Sequence, residues 1–159
     1  MSKILFLPPE SKEDSSFIEK CYKKIDYRRN INVGEMDVSD IFIINNGSKN
    51  IGIFSPNILE VTNLIHSRPI IYLLKEYRIH SSNAICEMIF YLFEVRNVDR
   101  IIIQVYSDNI QMVNCMKNLK IPMRGSVKDI RIFEGKLMSI LFFDISLERY
   151  INLKDDFIE

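Results

Sequence analysis

A mixed α/β sheet flanked by helices is the fold class that the sequence predicts, and three observations point to it. β-rich runs alternate with amphipathic helical stretches along the chain. The most apolar helical stretch, Ala84 to Val95, falls between two runs that read as strands. A long hairpin pattern follows near the C-terminus. All 159 residues are assigned to one domain, because this length fills a single sizeable core and would leave two starved of apolar material. With 47% hydrophobic and 26% charged residues, the composition lies far from that of disordered chains.

Lys3 to Leu7 reads as a short strand stopped by Pro8-Pro9. A helix is expected near Ser15 to Lys24, with Phe17, Ile18, Cys21 and Tyr22 on one face. The other face carries Glu19, Lys20, Lys23 and Lys24, with Arg28 and Arg29 beyond: either a solvated surface or a patch for an anion. Asp40 to Asn45 and Asn50 to Phe54 predict an antiparallel hairpin across Asn46-Gly47-Ser48-Lys49, whose residue types suit a turn. The stretch from Pro56 through Ile65 has no decisive pattern. Pro69 to Leu74 is a continuous apolar run, as expected of a strand covered on both faces.

Ser81-Ser82-Asn83 supplies candidate N-caps for the Ala84 helix, whose stripe is Ala84, Ile85, Met88, Ile89, Leu92 and Phe93. Arg100 to Tyr106 then reads as a central strand. The strands flanking the helix should be parallel, joined by a right-handed crossover. Asp108 opens a second helix with Gln111 as its capping-box partner, and Met112, Val113, Cys115, Met116 and Leu119 form the inner face. After Pro122, Ser126 to Phe133 pairs with Leu137 to Ile145 across Glu134-Gly135-Lys136. The apolar run Leu137 to Ile145 also suits pairing between protomers, so a homodimer is expected.

Basic and acidic residues balance at 21 each, which argues against nucleic acid as a partner. No apolar run approaches the roughly 20 residues that cross a bilayer, and the apolar segment before Pro8 is too short for a secretory core. A cytoplasmic protein without a membrane partner is expected. Cys21, Cys86 and Cys115 are odd in number and widely spaced, with only His66 and His80 to assist, so neither a disulfide framework nor a metal site is expected. An unperturbed imidazole suits proton transfer, yet neither histidine has a visible partner in the sequence. No Ser-His-Asp or Cys-His order supports a hydrolase.

Several motifs fall in a consistent order. They are Tyr91-Leu-Phe-Glu94, Asn97-Val-Asp-Arg-Ile-Ile-Ile103, Asp108-Asn109, Lys117-Asn-Leu119, Arg124-Gly125-Ser126 and Phe133-Glu-Gly-Lys136. Over roughly residues 70 to 150 this order resembles the GNAT superfamily of acetyl-CoA-dependent N-acyltransferases. The branch it resembles acetylates ribosomal-protein N-termini and amino sugars. The resemblance implies two parallel strands that splay apart, here Ile70 to Leu74 and Arg100 to Tyr106. A pantetheine arm would lie between them, past Leu73 and Leu74, and the pyrophosphate would meet the N-terminus of the Ala84 helix.

The chain departs from that family in the phosphate-binding loop. Where the family has Arg/Gln-x-x-Gly-x-Gly/Ala, the chain reads Arg78-Ile79-His80-Ser81-Ser82-Asn83-Ala84. A Cβ on Ile79 or His80 at a glycine position would crowd the phosphates, while Ser81, Ser82 and Asn83 offer donors and Arg78 and His80 offer charge. The family's tyrosine, seven residues after its asparagine, corresponds to Met116, which has no proton to give. Its closing Gly-Phe is Lys120-Ile121.

Acyl transfer to an amine needs a base and polarisation of the thioester. Glu76, past the strand end, is the candidate base or an exposed loop carboxylate. Gln104, polar in an apolar strand, holds substrate or water, or else satisfies a neighbouring group. Asn109 either contacts the cofactor or extends a helix cap. The leading expectation is an acyl-CoA-dependent N-acyltransferase acting on a small molecule, amino sugar or peptide. The others are a non-catalytic domain of the same fold used for binding or assembly, and an unrelated ligand-binding α/β domain. The acceptor site is expected from Ser15 to Asp40 and Pro56 to Ser67.

Overall fold

A computed structural model describes residues 3–25 and 37–158. Residues 26–36 of the expected acceptor segments, Arg28 and Arg29 among them, lie outside the described residues. β1 (Leu5–Leu7) is followed by α1 (Lys12–Lys24), which starts earlier than expected because Ser11, not a later serine, is its cap. The Ser11 hydroxyl accepts from Asp14 N–H at 3.1 Å, and the Asp14 carboxylate accepts from Ser11 N–H at 3.2 Å, a reciprocal pair that satisfies two orphan donors. Asp14 and Glu13 in the first turn, with Lys23 and Lys24 in the last, also match the helix dipole.

β2 (Phe42–Asn45) and β3 (Asn50–Ser55) form the predicted hairpin. Asn46 Oδ1 accepts from the Ser48 and Lys49 amides, and Gly47 adopts φ +92°. The stretch without a decisive pattern is a second hairpin, β4 (Ile58–Val61) and β5 (Leu64–Ser67). Its turn puts Thr62 and Asn63 at φ 50° and 65°, a geometry suited to an asparagine, while the β-branched Thr62 masked the signal. β6 (Ile70–Leu73) pairs antiparallel with β3, completing a four-stranded sheet in the order β1-β2-β3-β6.

Six residues of 3₁₀ turn, Lys75–His80, lead into α2 (Ser81–Phe90), which widens to a π-helical turn at Tyr91–Val95. Ser81, Ser82 and Asn83 therefore lie inside the first turn of α2, and none of them is its cap. β7 (Arg100–Tyr106) and α3 (Ile110–Asn118) follow. The α3 cap is Asn109, whose side chain accepts from Met112 N–H at 3.2 Å; Gln111 is not a capping-box partner and donates instead to Arg78 O. β8 (Met123–Phe133) and β9 (Lys136–Ser146) form the last hairpin, with Glu134 and Gly135 at φ 49° and 77°.

The sequence reading missed α4 (Leu147–Ile158), although Ser146 Oγ accepts from Arg149 N–H as a helix cap would. Tyr150 anchors it, stacking on Phe93 at 4.6 Å and donating to Glu94, which also pairs with Lys154. The second sheet runs β4-β5-β7-β9-β8. β9 is thus an inner strand between β7 and β8, so the run expected to join protomers has both edges occupied; the outer strand is β8.

The two sheets share one stretch of chain, residues 64–73. β5 runs parallel to β7 for two rungs only, His66 with Arg100 and Ser67 with Ile101. Then come Arg68 and Pro69, and Pro69 has no N–H with which to continue a ladder. β6 turns away to β3, and among the described residues no strand pairs with its other edge or with that side of β7 from Ile102 onward. The splay expected between Ile70 to Leu74 and Arg100 to Tyr106 is thus present, and the parallel rungs belong to the residues just before Pro69.

One core packs α2 and α3 against Ile51, Phe54, Leu73, Ile101, Ile103 and Val105. A second packs Cys21 and Ile25 of the α1 region against Ile41, Ile53, Ile70 and Leu74, on the other face of the first sheet. No described helix is long and apolar enough to cross a membrane. Gly52 holds β3 close to β6, for a Cβ there would lie 2.0 Å from Tyr72 O and 3.0 Å from Leu73 Cα. Gly52→Ala is therefore expected to destabilise the chain by about 2 kcal/mol or more, read as a lower urea midpoint with an unchanged slope.

Candidate active site

Beyond the point where β6 leaves β7, a cavity of about 420 Å³ opens beside β6 and the starts of α2 and α3. Four segments build its walls. β6 contributes Ile71, Tyr72 and Leu73; the 3₁₀ turn and α2 contribute Arg78, Ser81 and Ile85; the start of α3 contributes residues 108–112; and Lys24 reaches in from the end of α1. Strand alternation turns Ile71 and Leu73 toward the α2 core and Tyr72 toward the α1 side.

The loop replacing the glycine-rich turn is tied to itself. Arg78 O accepts from the Ser81 N–H, from the Ser81 hydroxyl at 2.6 Å and from Gln111 Nε2 at 3.3 Å. These bonds fix the 3₁₀ turn and clamp it to α3, and they engage a donor that an open helix N-terminus would offer to an anion. Ser82 Oγ lies 3.3 Å from Cys115 Sγ. The side-chain donor expected of Ser81 is thus already engaged within the protein, and the Ser82 hydroxyl is in contact with Cys115.

Of the residues singled out from sequence, the structure brings Leu73, Arg78, Ser81 and Asn109 together on the cavity wall. Leu74, Ala84 and Met116 are buried in the cores. His80 and Asn83 are half-buried at the entry to α2, Ser82 is exposed there, and Glu76 is exposed on the 3₁₀ turn. Gln104 is half-buried on β7 opposite Phe142, on the face away from Ile103 and Val105. His66 is half-buried on β5, opposite Leu59. Sequence reasoning missed Tyr72, Asp108 and Gln111 as wall residues. Tyr72 looked like one more apolar strand position, and Asp108 and Gln111 had been assigned to capping.

Two cations, Lys24 and Arg78, face one carboxylate, Asp108, so the wall favours an anionic ligand group. Burial raises the Tyr72 phenol above its ordinary pKa; Cys21 and Glu76 add to the rise, while Arg78 opposes it. Burial also pushes the Cys21 and Cys86 thiols up to about 11 and raises Cys115. Among the described residues, no group of three or more His, Cys, Asp or Glu side chains could hold a metal ion.

No family model matches the chain, and no curated protein sequence does. Solved structures do. The spermidine N-acetyltransferase of Vibrio cholerae in complex with CoA and spermine superimposes with a TM-score of 0.74 at 14% identity, over 96% of this chain and 100% of that one. A point variant of the same enzyme gives 0.75 at 14% identity, over 97% and 99%. A likeness at such low identity establishes the fold, which is that of the GNAT acetyltransferases. It does not single out the ribosomal-protein and amino-sugar branch.

None of the three cysteines lines the cavity. With raised pKa values they are protonated at about pH 8, so iodoacetamide should alkylate the native chain on the order of a hundredfold more slowly than the unfolded chain. The rate should climb as pH rises toward the folded pKa. Equal rates for native and unfolded chain would show that burial does not protect them.

Proposed function

We propose that this chain is an acyl-CoA-dependent N-acyltransferase, with acetyl-CoA as the donor and a small amine as the acceptor. The observation that carries the reading is the split at Pro69, which leaves strand edges on β6 and β7 unpaired, that of β6 beside a cavity with a cationic wall. Backbone N–H and C=O groups without strand partners seek them elsewhere, and the amides of a pantetheine arm supply both kinds. The fold neighbour bound to CoA and spermine supports donor and acceptor class alike.

In this reading Leu73 and Leu74 flank the arm, and Arg78 and Lys24 draw the pyrophosphate by charge. Residues 80–84, with His80, Ser82, Asn83 and Ala84, shape the helix entry beneath it. Asn109 lies beside the cofactor, and Met116 supports the helix that carries it. Glu76, whose charge is felt at Tyr72, takes the surplus proton of the amine, and Gln104 orients the acceptor or a water. The amine attacks the thioester directly, so the chain has only to align the reactants and manage two protons. The internal bonding of Ser81 favours a second reading, a non-catalytic module of the same fold, because it removes part of the backbone cradle for phosphate.

Calorimetric titration with acetyl-CoA separates the two. Binding with a Kd on the order of micromolar is expected, weakened about tenfold, or about 1.4 kcal/mol, in Arg78→Ala. The wild type should lose more affinity on adding salt than the variant, because a screened charge is missing there. Absence of heat at millimolar ligand would establish the non-catalytic module instead.

A further inference from the structure

We infer that Tyr72 is the catalytic residue that protonates the departing thiolate, a role that rests on the acyltransferase reading. When a thioester is attacked, the electron pair of the broken C–S bond stays on sulfur, and a nearby acid speeds the step by supplying a proton. Met116 cannot do this, being a thioether fully buried in the core.

The cavity wall leaves few other donors. The Arg78 guanidinium serves as a fixed cation and the Asp108 carboxylate as a hydrogen-bond acceptor. The Ser81 hydroxyl already donates to Arg78 O at 2.6 Å. Lys24 is an exposed ammonium on the last residue of α1, a mobile point charge better suited to phosphate.

Tyr72 differs in each respect. It is held by backbone pairing to Ile53 on β3, while the other edge of its strand faces the split. Its side chain stands on the α1 side of the sheet and lines the cavity. An arm paired with the free edge of β6 runs alongside Tyr72, which brings the sulfur past the phenol. The charged and titratable groups acting on that phenol are Cys21 of α1 and Glu76 and Arg78 of the 3₁₀ turn. A phenol, with an ordinary pKa of about 10, carries its proton at neutral pH, and burial raises this one further.

The step balances without any further reagent. The amine nitrogen bonds to the acyl carbon, the C–S bond breaks, and the Tyr72 proton moves to sulfur to give the free thiol. The surplus proton of the amine leaves through Glu76 to water, and water returns one to the phenolate.

Binding of CoA and of desulfo-CoA, which has hydrogen in place of the thiol, tests this in wild type, Tyr72→Phe and Lys24→Met. At about pH 9.5, above an ordinary thiol pKa of about 8.5, Tyr72→Phe should weaken CoA about tenfold, as expected for a lost hydrogen bond to a charged group. Desulfo-CoA should bind both chains alike, and Lys24→Met should weaken the two ligands equally. A sulfur-specific loss in Lys24→Met instead, or equal effects of Tyr72→Phe on both ligands, overturns the assignment while the acyltransferase reading stands. Failure of the wild type to bind either ligand overturns both. Should circular dichroism show Tyr72→Phe unfolded, 3-fluorotyrosine at position 72 decides. The pH at which CoA affinity falls then moves down with the phenol pKa if Tyr72 is the donor, and stays put if it is not.

Discussion

A ladder cannot continue through a residue that has no N–H, and Pro69 stands where residues 64–73 would otherwise lie flat along β7. Before it, two parallel rungs and the Asp99 contacts bind the chain to the second sheet: Asp99 N–H donates to Ile65 O at 2.7 Å, and its carboxylate accepts from Ile65 N–H at 2.7 Å. After it, β6 belongs to the first sheet, fastened there by the close approach of Gly52. The wedge between the sheets is thus held open from both sides. α2 and α3 cover one face of it and α1 borders the other, so the cavity lies where three layers meet.

The chemistry of the wall follows from that geometry and from one local substitution. A glycine-rich loop lets amides approach phosphate because nothing projects from its backbone. Here a 3₁₀ turn takes that place and feeds its bonds into Arg78 O, so in the proposed function side-chain charge from Lys24 and Arg78 would take over a task that elsewhere falls to backbone N–H groups. Binding by charge is longer in range and more sensitive to salt than binding by a preformed amide cradle.

Much of the fold was legible because hydrophobic period and turn chemistry agree over long stretches. The Ala84 stripe, the apolar run of β7 and the Glu134-Gly135 turn each point one way, and each forms as expected. What escaped reading has physical reasons. β4 and β5 carry exposed Leu59, Val61 and Leu64 on a short edge hairpin, so no face alternates. α4 is amphipathic but follows β9 with no break residue, and its anchor, Tyr150 on Phe93, is a contact between distant positions. The cavity wall was legible where charge or a strand end marked it, at Leu73, Arg78, Ser81 and Asn109. It was not legible at Tyr72, because an aromatic in a strand reads the same whether its ring meets core or cavity, and only the split sheet distinguishes them.

Amide hydrogen exchange, followed with and without saturating acetyl-CoA, tests the wedge most directly, since unpaired strand edges are the groups a ligand would engage. The account predicts new protection at residues 71–73 and 102–106 and at the helix entry, residues 78–85, with the β8–β9 hairpin unchanged. Protection that appears elsewhere and leaves both strand edges exchanging as before would contradict it.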